Sequence, residues 1–113
     1  MEFDPNRPIY LQINDSICER ILEGVLSPED RIPSVREWAA EIGVNPNTVA
    51  RSYEKLTDSG IIYNKRGIGY FVCPGAKESV REIAKKRFLE TELPNFLKRM
   101  NLLGIDIEEI IKK

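Results

Sequence analysis

Apolar residues recur at every fourth position near the start of the chain, at Ile9, Ile13, Ile17 and Ile21. This spacing puts the four side chains on one face of a helix, and Leu22 and Val25 widen the apolar stripe. Pro8 opens the helix, and Gly24 is expected to end it. The pattern therefore predicts an amphipathic first helix.

A second helix is predicted after a short polar turn. Residues 34–37 read "SVRE", which has the form of a capping box, in which Ser34 accepts from the amide of Glu37 while the Glu37 carboxylate reaches back. The apolar positions that turn inward are Val35, Trp38, Ala39 and Ile42. Gly43 is suited to close this helix in a left-handed conformation.

A third helix is predicted to begin at Pro46, with Asn45 as its N-cap residue. At 100° per residue its apolar side chains share one face, which consists of Val49, Tyr53 and Leu56. An arc of about 100° on the other side carries only polar side chains. These are Asn47, Thr48, Arg51 and Lys55. One face of the helix thus belongs to a core, and the other remains available for recognition.

Two short helices joined by a tight glycine turn predict a helix-turn-helix, whose second helix enters the major groove of DNA. Asn47 is of the type that bonds adenine, Thr48 meets a thymine methyl or a polar edge, and Arg51 takes the two acceptors of guanine. For any one of these residues a solvated helix face is the simpler explanation. The cap, the turn and the polar face together favour DNA reading.

The segment "IIYNKRGIGYFVC" predicts a β-hairpin directly after this helix. Its strands are expected at residues 61–63 and 70–72, with residues 64–69 as the connection. Lys65 and Arg66 then lie at a basic tip, as in the wing of a winged helix, where they can follow phosphates or enter the minor groove. The alternative is that both cations only keep an edge hairpin soluble.

Residues 76–113 have more apolar surface than their own helices can hide. "SVRE" recurs at residues 79–82 and predicts a helix that starts there, which Pro94 is expected to kink or split. Asp106 with Glu109 is expected to cap a last short helix. Such an appendage packs on its own domain or on a partner, and the dimer seam is predicted to contain Phe88, Phe96, Leu97, Met100 and Leu103.

Composition limits the possible classes of protein. The 113 residues allow one ordinary domain, or a small domain with an appendage, and 42% are hydrophobic and 31% charged. No apolar run approaches the roughly 20 residues of a membrane span, and "MEFDPNRP" lacks a secretory signal, so a cytoplasmic protein is expected. The net charge of -1 decides little, because phosphate binding depends on how cations cluster on one face.

Candidate chemistry for catalysis or metal binding is scarce. The chain has no histidine, and Cys18 and Cys73 do not form a CxxC pair, so neither a metal site nor a cofactor is predicted. The usual general base is missing, and no phosphate-binding loop or nucleophile motif replaces it. An enzyme is therefore not expected.

Residues 8–73 resemble the winged-helix domain of the GntR family of bacterial transcription regulators. The resemblance rests on "PIYLQI", "RIPSVREWAAEIGVNPNTVARSYEKLTDSGII" and "KRGIGYFV", which occur in the family's order. It implies a homodimer on a palindromic DNA operator. It also implies that Ser34 and Arg36 lie near phosphate or a groove edge, that Asn47 and Thr48 begin the recognition helix, and that Gly67 is at the wing tip.

Two positions depart from the larger branches of that family, which often have arginine where Pro46 and Ala50 stand here. Those base contacts are not carried over. "VNPNTVARSYEKL" instead resembles the YtrA-like branch and the pyridoxal-linked MocR branch. Since only 38 residues follow Gly75, too few for the MocR aminotransferase-like domain, the YtrA-like branch is expected, in which the short helical tail serves dimerisation.

The sequence therefore predicts an α+β protein, with a winged helix-turn-helix DNA-binding domain at residues 1–75 and a helical dimerisation segment at residues 76–113. The expected function is a homodimeric transcription regulator, a repressor of a bacterial operon, with transport genes as a branch-level expectation. The predicted DNA-binding residues are Ser34, Arg36, Asn45, Asn47, Thr48, Arg51, Lys55, Lys65, Arg66 and Gly67. The alternatives are a winged-helix module for protein–protein contact without DNA binding, and an enzyme. The operator, the regulated genes and any small-molecule effector stay open.

Overall fold

The structure is a computed structural model that describes residues 2–111. Its α-helices are α1 (Ile9–Leu22), α2 (Val35–Ile42), α3 (Pro46–Asp58), α4 (Ala76–Arg87), α5 (Leu93–Leu102) and α6 (Ile107–Ile111). Its strands are β1 (Arg31–Ile32), β2 (Ile62–Lys65) and β3 (Gly69–Val72). The chain divides into two compact units, the first up to Arg81 and the second from Glu82.

The core of the first unit is formed by the predicted apolar faces of α1 and α3. The buried residues are Ile13, Ile17 and Ile21 on α1 and Val49, Tyr53 and Leu56 on α3, whereas Ile9, at the start of the predicted α1 face, is 39% exposed. Trp38 and Ala39 of α2 join this cluster. Val25, in contrast, is 65% exposed, so the predicted α1 stripe was too wide at its end, where the helix has already stopped.

The predicted capping box of α2 is confirmed. The Ser34 hydroxyl accepts from the amide of Glu37 at 3.1 Å, and the amide of Ser34 donates to the Glu37 carboxylate at 3.2 Å. At the other end Gly43 adopts a φ of 71°, and its amide donates to the carbonyl of Ala39 at 3.0 Å. Both ends of this two-turn helix are therefore closed by local bonds that use groups otherwise left without partners.

The strands form an antiparallel sheet in the order β1-β3-β2. The predicted hairpin is present, but its strands are paired as far as Lys65 opposite Gly69, so the connection shortens to residues 66–68. Strand β1 was not predicted. It pairs Arg31 with Phe71 and Ile32 with Tyr70, and a strand of two residues is too short to show an alternating pattern.

Helix α4 begins at Ala76, so the prediction that "SVRE" at residues 79–82 starts a helix is wrong. The amide of Ser79 donates to the carbonyl of Gly75 at 3.1 Å, which is a bond of the helix ladder. Ala76 and Val80 are both buried in the core of the first unit. Burial of Ala76 extends the helix upstream of the serine, which therefore lies inside it.

Pro94 does not split the tail helix. Residues 88–92 form a π-helical segment between α4 and α5, and the amide of Leu93 donates to the carbonyl of Phe88. Glu92 and Leu93 keep helical backbone angles, so the helical path continues into Pro94, and the π-helical turn lies directly before it, where the proline ring would otherwise meet the carbonyl four residues back. Further on, the Asp106 carboxylate accepts from the amide of Glu108 at 3.0 Å, so Asp106 caps the last helix as predicted, but through Glu108 and not through the predicted partner Glu109.

Candidate nucleic-acid interface

The N-terminus of α3 is held by a side-chain cap. The Asn45 side-chain oxygen accepts from the amide of Asn47 at 2.8 Å, and Pro46 occupies the first turn. The helix therefore starts abruptly, with the Asn47 side chain exposed. The side-chain oxygen of this predicted DNA-binding residue thus serves the cap, while its NH₂ group keeps two donors for a ligand.

The predicted polar face of α3 is the solvent-facing side of the helix. Asn47, Arg51 and Lys55 are exposed, and Thr48 is half-buried. The opposite side of the helix is packed in the core. Its buried residues are Val49, Ser52, Tyr53 and Leu56. The arrangement presents two amide or hydroxyl groups and two cations on a rigid support.

Arg51 has a partner that sequence reasoning missed. Its guanidinium carbon lies 4.1 Å from the centre of the Tyr10 ring. Tyr10, with Pro8 and Ile9, borders one surface groove together with Asn47, Thr48 and Arg51. Because the two residues belong to different helices, α1 and α3, no local sequence signal predicts the contact.

The N-terminus of α2 carries the predicted residues Ser34 and Arg36. The Ser34 hydroxyl oxygen accepts a hydrogen bond in the capping box, which leaves its O–H to donate, and the Arg36 side chain is exposed. The hydrogen bonds from Ser34 lower the pKa of the Glu37 carboxyl below its usual range, so this group stays ionised. The nearest cation to it is Arg31, with a nitrogen–oxygen distance of 3.9 Å.

The wing is a short β-hairpin whose tip is cationic. Lys65 and Arg66 are exposed, and the Lys65 ammonium lies 5.7 Å from the centre of the Phe71 ring. The turn is closed by the amide of Ile68, which donates to the carbonyl of Lys65 at 2.9 Å. Gly67 has a φ of 79°, a left-handed conformation that a side chain would strain, so glycine is required here.

The predicted dimer residues lie in the second unit. Four of them are exposed, namely Phe88, Phe96, Leu97 and Leu103. Met100 is only 6% exposed in the single chain. Met100 is therefore a buried residue in the single chain and not part of its exposed apolar surface.

Other kinds of site are not evident in the described part of the chain. Within residues 2–111 no three acidic, cysteine or histidine side chains are grouped as metal ligands would be. None of the helices described there is long and apolar enough to cross a membrane. Both cysteines are free thiols, and burial, followed by the nearby Asp15 charge, raises the pKa of Cys18 to about 11, so this thiol is unreactive at neutral pH.

The chain combines a helix-turn-helix, formed by α2 and α3, with a wing and an exposed α3 face. These features define a winged-helix protein of the DNA-binding class. Residues 9–72 match the sequence pattern of the family described as "Bacterial regulatory proteins, gntR family". The chain belongs to the GntR family, as its sequence resemblance predicted.

Full-length relatives agree with this assignment. The chain is 41% identical to the uncharacterized HTH-type transcriptional regulator YhcF of Bacillus subtilis, over 98% of this chain and 90% of that protein. It is 35% identical to the HTH-type transcriptional repressor YtrA of Bacillus subtilis, over 97% of this chain and 85% of that protein. These matches fit the predicted YtrA-like branch.

A crystal structure of a GntR-family transcriptional regulator from Bacteroides thetaiotaomicron has a similar fold. It superposes with a TM-score of 0.72 at 52% identity, covering 92% of this chain and 90% of the other. Family, relatives and fold thus make this chain a DNA-binding transcription regulator. They do not favour the alternative of a winged helix used only for protein–protein contact.

Proposed function

We propose that this protein is a homodimeric repressor that binds a palindromic operator in the bacterial cytoplasm. It represses by occupying the operator, without a cofactor or a catalytic step. The proposal rests on the exposed start of α3, where Asn47, Thr48 and Arg51 border one groove. The helix is capped at this end, and its opposite face is buried in the core. A helix presented in this way fits the major groove N-terminus first.

Base reading is assigned to the first two turns of α3. Asn47 has the donor and acceptor pair that matches adenine, and the Thr48 methyl and hydroxyl match thymine or a polar edge. Arg51 matches the O6 and N7 acceptors of guanine through two parallel N–H groups. Lys55, one turn further along, is placed to meet the phosphate backbone.

Phosphate contacts are assigned to the elements on either side. Arg36 is exposed near the start of α2, where Ser34 holds the helix end, and Lys65 and Arg66 are exposed on the wing. At the wing tip Gly67 has no side chain, so the backbone can approach the sugar edge closely. The Asn45 NH₂ group is a further donor at the start of α3.

Dimerisation is assigned to the tail. Phe88, Phe96, Leu97 and Leu103 are large apolar side chains that remain exposed in the single chain, and such a surface is typical of an interface, while Met100 is buried. A symmetric pair of heads reads a palindrome, because the two-fold axis of the protein matches that of the operator. The repressor assignment is supported by the name of the relative YtrA, a transcriptional repressor.

The test is selection of binding sites from random duplex DNA, followed by titration of Arg51→Ala on the selected duplex and on a random one. Base reading predicts a loss of about 1 to 3 kcal/mol on the selected duplex and a much smaller loss on the random one. Arg81→Ala, which removes an exposed arginine from α4, is the matched control and should leave both affinities close to the original. Equal losses on the two duplexes would disprove the role of Arg51.

A further inference from the structure

Arg51 is held more closely by an aromatic ring than any other described cation. The guanidinium carbon is 4.1 Å from the centre of the Tyr10 ring. Within residues 2–111 the other two contacts of this kind, Arg20 with Trp38 and Lys65 with Phe71, measure 5.6 Å and 5.7 Å. The shorter distance is that of a cation resting on the face of the ring.

The ring belongs to a helix that is anchored in the core. Tyr10 is the second residue of α1 and is half-buried, and the same helix sends Ile13 and Ile17 fully into the core. Tyr10 thus extends from a helix that is fixed in the core and packs against α3. The face of its ring is a fixed support for a long side chain that would otherwise sample many rotamers.

Two carboxylates in the same groove of the described chain leave the Arg51 guanidinium unpaired. Glu54 and Asp58 border a groove together with Tyr10 and Arg51, and Glu54 lies three residues after Arg51 on the same helix. Residues at that spacing are neighbours on a helix surface and readily form ion pairs. In the described part of the chain, however, the Arg51 guanidinium is not within ion-pair distance of either carboxylate.

We propose that Tyr10 is a positioning residue, which holds the Arg51 guanidinium in the orientation that reads a base. The proposal rests on the proposed function, in which Arg51 contacts guanine. Stacking uses the flat face of the guanidinium and leaves its N–H edge available for the two guanine acceptors. Because the side chain is ordered before DNA binds, the conformational entropy lost in ordering it does not weaken specific binding.

The proposal is tested by a double-mutant cycle in the full chain with Tyr10→Leu, Arg51→Ala and the pair, each titrated on a duplex selected from random DNA. Leucine keeps apolar bulk and removes the aromatic face. Tyr10→Leu should weaken binding to the selected duplex about two- to tenfold, and should add no loss when Arg51 is already alanine. Tyr10→Phe, the matched control, keeps the ring and should bind as the original chain does.

Losses that add in the double variant, or an equal loss on a random duplex, would overturn the role of Tyr10 while leaving base reading by Arg51 intact. If Arg51→Ala alone causes no specific loss, the proposed function of Arg51 fails first, and the positioning role fails with it.

A second measurement does not depend on any variant. In the unsubstituted protein without DNA, the ring current of Tyr10 should shift the Arg51 δ-proton resonances upfield in the NMR spectrum. Unshifted resonances would contradict the stacked geometry, whatever the binding titrations give.

Discussion

The hydroxyl of Tyr53, in the middle of α3, donates a 2.5 Å hydrogen bond to the backbone carbonyl of Pro33, directly before α2. The Tyr53 ring is fully buried and meets Trp38 and Tyr70 edge-on, at centroid distances of 6.1 Å and 4.9 Å. One side chain on the buried face of the recognition helix thus connects that helix to α2 and to β3. The exposed face is held in position by these contacts behind it.

Tyr53→Phe should reduce the free energy of unfolding by about 0.5 to 1.5 kcal/mol, because the ring is kept and a partly buried hydrogen bond is lost. Urea denaturation measures the change. Tyr63→Phe is the matched control, since its hydroxyl also donates at 2.5 Å, to Glu29, but in an exposed pair. We expect the control to lose less free energy of unfolding than Tyr53→Phe. A larger loss in the control would contradict the greater contribution that we assign to the Tyr53 hydrogen bond.

Tyr53 also predicts how stability responds to alkaline pH. Burial, with smaller contributions from Tyr70 and Glu37, raises the pKa of Tyr53 above its ordinary value of 10.0. Above that pH the unfolded chain loses the tyrosine proton while the folded chain keeps it, so stability is full below pH 10.0 and falls as pH rises.

The Tyr53→Phe variant lacks this contribution. Its stability should therefore fall less steeply above pH 10.0, by up to about 1.4 kcal/mol for each pH unit, in urea titrations at several pH values. The Cys18 thiol, whose pKa is also raised, is common to both proteins and cancels in the difference. Parallel slopes for the two proteins would show that the Tyr53 proton is not retained by the fold.

Removal of the α3 cap should destabilise the first unit. Asn45→Ala deletes the oxygen that accepts from the amide of Asn47 and should cost about 1 kcal/mol in urea denaturation. Asn45→Asp keeps an acceptor at the same place, beside the positive end of the helix dipole, and should retain stability. Equal losses in the two variants would assign the effect of Asn45 to something other than capping.

The wing cations should act on DNA of any sequence. If Lys65 and Arg66 each neutralise one phosphate, alanine at both positions should make the negative slope of log affinity against log salt shallower by roughly two units. The change should be the same on selected and random duplexes. Alanine at Lys85 and Lys86 in α4 is the matched control and should leave the slope unchanged. If the salt dependence of affinity is unchanged in the wing double variant, the alternative that these cations only maintain solubility is favoured.

The tail should determine the oligomeric state. Glutamate at Phe96 and Leu103, which are 53% and 65% exposed, places charges in the proposed seam and should give a monomer in analytical ultracentrifugation. Val25→Glu changes an equally exposed apolar residue of the first unit and should leave the dimer intact. A monomeric original chain, or a double variant that still dimerises, would defeat the proposed seam.

Truncation gives a second test of the tail. Because Ala76 and Val80 belong to the core of the first unit, the shortened chain should end after Arg81 and not at Gly75. We expect it to be a monomer whose affinity for a whole operator falls toward the nonspecific range of roughly 0.1 mM to 1 µM at physiological salt. Binding of the full operator at the original affinity would contradict the proposed avidity.

Local interactions made much of the fold predictable from the sequence. The Ser34 capping box, the Asn45 cap and the faces of α1 and α3 are set by residues within a turn or two of one another, and the structure confirms each of them. The polar arc of α3 follows from the same helical periodicity. Its use in DNA binding was inferred from residue type, and its individual contacts remain predictions.

Only the tertiary structure decided what depends on residues far apart in the chain. "SVRE" caps a helix at Ser34 but lies inside one at Ser79, because Ala76 is buried in a core that no local pattern reveals. The pairing of β1 with β3 and the bond from Tyr53 to Pro33 likewise join distant segments. The contact between the Arg51 guanidinium and the Tyr10 ring is of the same kind, since packing of α1 on α3 brings the two side chains together and neither helix sequence specifies its partner.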